Sequence, residues 1–247
     1  MSQLKRYSEF LATQDTASDW ARTAFHETVA NITKPDFPCY FAKNVITKDS
    51  LHVAFIERSD RATMYEQAAE VMQEYAEIER NPDIFRVLVL SMDMGGSSWE
   101  EDDALLWDFL AYLQTQDPEP WPSEVPMDPN EDGWSFCFKG MPWFFNLNSP
   151  SNTHRQSRNI TNTFAFVIQR TDGFDGLAPA ESHDKLRWDL RARCLAYDGQ
   201  ASSPALAKGE DNLEMLEWIQ FHTPNLNTEK PKGKCPFSHA AKLEMSN

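Results

Sequence analysis

Short apolar runs of strand length, set apart by stretches of helical period, constrain this chain more than any other feature. Leu51–Ile56 alternates and is partly β-branched, Ile84–Leu90 reads as a buried strand, and Thr163–Gln169 is of alternating or fully buried type. Trp134–Phe138 and Met141–Leu147 are divided by Lys139-Gly140, a dipeptide suited to a hairpin turn. Between the first two runs, residues 59–81 set Met64, Ala68, Val71, Met72, Tyr75 and Ile78 on one helical face, closed by Asn81-Pro82. Ser98, followed by Glu100, Glu101 and Asp102, starts a second helix carrying Leu105, Leu106, Phe109 and Leu113. Residues 1–30 read as one or two helices with Ser18 and Asp19 as caps, and helical pattern returns at 182–197 and near 211–221. Asp36–Ala42 leads into the first strand through a short excursion, Lys43–Ser50. The expected fold is therefore α+β (or α/β), a mixed or antiparallel sheet with helices packed on it.

With 247 residues, 41% of them apolar, the chain can bury one sizeable core. It is expected to be a single domain over 1–247, with an N-terminal helical segment and a C-terminal Cys-Pro-Phe tail. The stretch Pro118–Asp132 holds five prolines and reads as an ordered surface loop, not a linker. No apolar run approaches the ~20 residues of a membrane span. The four cysteines are far apart without a CxxC pair, which favours free thiols and a cytoplasmic location. A formal charge of −15 repels phosphate backbones and anionic membranes, so neither nucleic acid nor membrane is an expected partner. The same field is compatible with a cationic substrate. GxGxxG, Walker A, HExxH and GxSxG patterns do not occur.

The most unusual segment is the polar run Asn146–Asn159, set between two apolar strands where loops carry sites on a rigid scaffold. His154 offers a neutral imidazole to a metal or haem iron, and Arg155 and Arg158 can pair with carboxylates such as haem propionates. Alternatively, His154 is a solvated loop histidine and the arginines make structural ion pairs. Arg187 and Arg191, four apart on one helical face, can clamp an anion together or form a solvated face with Asp184 and Asp189. Cys235 is a candidate thiolate ligand with His239 four residues later, unless Cys235-Pro236-Phe237 simply docks the tail.

Read together, several segments resemble the YqcI/YcgG family. They are Phe37-Pro38-Cys39-Tyr40-Phe41-Ala42, Trp134-Ser135-Phe136 leading to Phe144-Phe145-Asn146, and Ser149-Pro150 followed by His154-Arg155-Gln156-Ser157-Arg158-Asn159. Phe174-Asp175, Arg187 to Arg193 with Tyr197-Asp198, and Cys235-Pro236-Phe237 complete the set. The resemblance implies a haem-dependent N-hydroxylase acting on a guanidine- or amine-bearing small molecule. It also implies haem b as cofactor and an external electron donor or redox partner. It makes His154 the favoured iron ligand, with Cys235 and His239 as alternatives. Arg155 or Arg158 then lies near a propionate, and Arg191 is a further cofactor-binding candidate. Two other readings stay open: a non-catalytic haem-binding or sensing protein, and a cofactor-free interaction domain.

Overall fold

The computed structural model describes residues 3–174 apart from 80, 82 and 97, then 183–200, 216–227, 235 and 237. Six strands form one sheet: β1 (Lys5–Arg6), β2 (Leu51–Ile56), β3 (Val87–Met92), β4 (Phe136–Phe138), β5 (Met141–Asn148) and β6 (Phe164–Arg170), in the order β1-β2-β3-β6-β5-β4. Described helices are α1 (Tyr7–Thr13), α2 (Asp19–Ile32), α3 (Ala42–Thr47), α4 (Arg61–Ala76), α5 (Trp99–Thr115) and α6 (His183–Asp198). Strands β2 and β3 are parallel because α4 carries the chain back between them, and every other neighbouring pair is antiparallel. The sheet is thus mixed, and the fold is a single-domain α+β arrangement.

Side-chain caps start the longer helices α2, α4 and α5. Ser18 Oγ accepts from Ala21 N at 3.2 Å to cap α2, Asp60 accepts from Thr63 N at 3.0 Å to cap α4, and Ser98 Oγ accepts from Glu101 N at 3.2 Å to cap α5. Lys139 and Gly140 adopt φ of 51° and 66°, the doubly left-handed turn whose twist matches an antiparallel hairpin, and they join β4 to β5.

Strand alternation divides the interior in two. On one face, Ala54, Ile56, Leu88, Leu90, Met92, Phe145, Leu147, Phe166 and Ile168 pack against α4 and α5. On the other, Leu51, Val53, Val87, Val89 and Ala165 pack against residues of α1, α2 and α3. Each fully buried phenylalanine, such as Phe109 or Phe166, contributes about 2–3 kcal/mol of apolar transfer. The Pro-rich loop is docked through Trp121, which donates Nε1 to Val125 O at 2.9 Å and stacks 6.4 Å from Trp134.

Some boundaries differ from expectation. Residues 42–47 form a helix instead of an irregular excursion, since Ala42 and Val45 find apolar partners on the second core. Strand β3 starts at Val87, three residues late, and α4 stops at Ala76. Of the helical pattern near 211–221, residues 211–215 lie outside the described residues and Glu217–Gln220 is a 3-10 turn. None of the four cysteines, all among the described residues, is joined in a disulfide. Among the described residues no helix is long and apolar enough to cross a membrane.

Candidate functional site

The polar loop after β5 is tied down on every side. Ser149 Oγ donates to Asp102 Oδ2 in the first turn of α5, and Ser157 donates its N–H and hydroxyl to Asp198 at 2.7 Å each, at the end of α6. Asn31 Nδ2 of α2 donates to Ile160 O at 2.8 Å. A loop held by α2, α5 and α6 is a fixed wall.

The segment 216–227 forms the opposite wall. Strand β4 is too short to cover the far half of β5, and there Leu147 N donates to Phe221 O at 2.8 Å. Asn225 Oδ1 accepts from the N–H groups of His154 and Arg155, at 2.9 and 3.2 Å. Arg155, only 2% exposed, donates Nε to Pro224 O at 2.9 Å and Nη2 to Asn227 Oδ1 at 2.8 Å.

Between these walls lies a buried imidazole. The His222 side chain is 1% exposed, its ring stacks on Trp99 at 4.6 Å and 14°, and Trp99 Nε1 donates to Thr223 O at 3.1 Å. Nδ1 faces Asp103 Oδ1 at 3.4 Å, within ion-pair distance. The same Asp103 oxygen accepts from Trp107 Nε1 at 3.3 Å, so one carboxylate is shared by an indole and an imidazole. Burial holds His222 below the usual histidine range, against the upward pull of Asp103 and Asp102 and with a smaller downward contribution from Arg158. That burial favours the neutral form of the ring.

Several buried polar atoms at the end of β5, in the loop after it and in the segment 216–227 have no hydrogen-bond partner among the described residues: Asn148 Oδ1, Asn152 Oδ1, Arg158 Nη1, Thr223 Oγ1 and His222 Nε2. Burying such groups unpaired costs about 1–3 kcal/mol each, more for a charged one. Burial lowers the Arg158 guanidinium to about 10. A neutral imidazole nitrogen and a shielded guanidinium are the donor types that a haem iron and a propionate require, so these residues fit that group.

A second polar feature lies at the other end of β5. A cleft of about 330 Å³ is lined by Glu131, Asp132, Trp134, Ser135, Thr171 and Glu217, among others. Glu217 Oε1 accepts from Ser135 Oγ at 2.6 Å, yet burial outweighs this bond and pushes the carboxyl up to about 7.

The residues singled out by sequence are dispersed. His154 is exposed, while its backbone is held by Asn225. Arg155 braces the two walls and Arg158 reaches the interior. Arg191 lies over the exposed Trp188 ring, 5.4 Å from its centroid. Cys235 packs half-buried against the α4–α5 core, its thiol pushed up to about 12 by burial. The side chain of Arg187 and all of His239 lie outside the described residues. Asp103, His222 and Glu217 are not marked by the sequence reading, and Asp102 is read there only as a first-turn acid of α5. For the aspartates a signal existed: with Leu106, Phe109, Leu110 and Leu113 they share the buried stripe of α5, an odd place for acids. Phe221-His222-Thr223-Pro224 carries no comparable mark.

Comparison with known proteins gives a consistent set. The model of the YqcI/YcgG family matches residues 25–238. A Streptomyces lavendulae protein named "Putative N(omega)-hydroxy-L-arginine synthase DcsA" is 34% identical over 232 residues, covering 91% of this chain and 86% of that one. YcgG of Bacillus subtilis (strain 168) is 31% identical, with coverage of 92% and 91%, and YqcI of the same organism is 25% identical, with 96% and 95%. No solved structure matches.

Proposed function

The chain belongs to the YqcI/YcgG family, and on that premise we propose that it is an oxygenase that N-hydroxylates a guanidine-bearing small molecule, with haem b as cofactor. The observation that carries this reading is the 34% identity, across nine-tenths of the chain, to a protein named for N-hydroxyarginine synthesis. In the overall reaction an N–H becomes N–OH with one atom of dioxygen. The other leaves as water, with two electrons from an external reductant and two protons. Bound haem supplies the activation of dioxygen, and the protein supplies position, charge and exclusion of water.

The chain's own groups suit that task. His222 and Arg158 offer the neutral nitrogen and the cation that such a cofactor needs. Asp102 and Asp103, both buried, supply the negative charge that a guanidinium seeks. The rigid loop 149–162 and the segment 216–227 shield this interior from solvent. Hemin-reconstituted protein, given L-arginine, a reductase with NADPH and labelled dioxygen, should form a product heavier by one labelled oxygen atom. A strong Soret band with no such product from arginine or other guanidines would leave a haem-binding protein without this activity.

A further inference from the structure

We infer that His222 is the residue that ligates the haem iron and that Asp103 is its positioning partner. This rests on the haem reading above. Among the histidines whose side chains are described, His26 and His154 are exposed, and His52 is buried beside Tyr75 with Nδ1 3.3 Å from Ser50 O. His222 alone in this group is deeply buried with Nε2 left without a hydrogen-bond partner.

Metal-ligating histidines commonly present one ring nitrogen to the metal and give the other to a carboxylate, which fixes the tautomer and strengthens the donor. His222 has that arrangement. Nδ1 faces Asp103 Oδ1, which is in turn anchored by Trp107 Nε1, while the Trp99 ring stacked on the imidazole sets its plane. Asp103 lies near the start of α5, which begins beyond the carboxyl end of β3, the place where open sheets with parallel strands build their sites. Arg158 contributes the cation. It sits close enough to His222 to act on its charge, with Nη1 shut off from solvent and unpartnered among the described residues. Arg158 was, with Arg155, one of the sequence's two candidates for a propionate. His222 was not its candidate for the iron.

The test is hemin titration of the full chain, followed by the Soret band, with circular dichroism to check folding. The wild type should bind about one equivalent. Folded His222→Gln, close to histidine in size and polarity, should bind at least about 100-fold more weakly or show a different ferric spectrum, and external imidazole should restore the spectrum in His222→Gly. Asp103→Asn should weaken hemin about 10–100-fold and raise the reduction potential, a change that a merely structural aspartate would not produce. Wild-type affinity and spectrum in folded His222→Gln would overturn the assignment and leave the haem reading standing. No saturable Soret change in the wild type would overturn both. If His222→Gln does not fold, Asp103→Asn decides, and an unchanged potential and affinity there overturns the assignment.

Discussion

His154 and His222 belong to two segments that touch, yet their side chains live in different media. Asn225, three residues after His222, accepts hydrogen bonds from the backbone of His154 and Arg155, so the two segments are tied directly to each other. The His154 ring nevertheless faces water, whereas His222 is enclosed by Trp99 and Asp103. Basic neighbours in sequence drew attention to His154. In space those neighbours turn away from it: Arg155 braces the C-terminal segment and Arg158 points to the interior. The difference shows that a site is marked by the medium around a group and by its carboxylate partner, neither of which adjacency in sequence reports.

The largest effect on stability is expected at Arg155. Arg155→Ala removes two hydrogen-bonded nitrogens of a buried cation from the contact between the two walls and should cost about 3 kcal/mol in urea unfolding. A cost below about 1 kcal/mol, the worth of a single ordinary hydrogen bond, would mean that the segment 216–227 is not held as described.

Glu217 tests the same segment at its other end. Its folded-state pKa, about 7, lies above the ordinary carboxyl value, so the folded protein holds this proton more tightly than the unfolded chain. Stability is therefore lost as pH rises from about 4.5 to about 7 and stays lower above that. Glu217→Gln removes the penalty while keeping an oxygen for Ser135. It should stabilise the protein by about 2 kcal/mol at pH 8, allowing for partial solvent access, and by almost nothing at about pH 4. A gain independent of pH would refute the buried carboxyl.

How much of this was legible follows from range. Caps at Ser18 and Ser98, the Lys139-Gly140 turn and the apolar strands are local signals; the caps and the turn reappear at the expected residues, and the strands with ends shifted by up to three residues. Helix α3 was missed because Ala42 and Val45 become helical only once the second core gives them partners. His222 was illegible for a stronger reason. Its meaning comes from Asp103, more than a hundred positions earlier, and from Trp99 on the same helix. Asp103 on the apolar stripe of α5 was the readable half of that pair, beside Asp102, for which helix-dipole chemistry gave a sufficient explanation.

The smallest effect is expected at the exposed ring. His154→Ala should change stability by less than about 0.5 kcal/mol, because its tether to Asn225 is through the backbone and survives the substitution. A larger loss, measured in the same urea series as Arg155→Ala, would show that the side chain is engaged after all.

The most direct measurement is the ferric absorption spectrum of hemin-loaded His154→Ala, recorded beside wild type and His222→Gln at equal concentration. The interior assignment predicts that the His154→Ala and wild-type Soret bands superimpose while that of His222→Gln is lost or displaced. A displaced band in His154→Ala, with a wild-type band in His222→Gln, would contradict it and return the iron to the exposed loop.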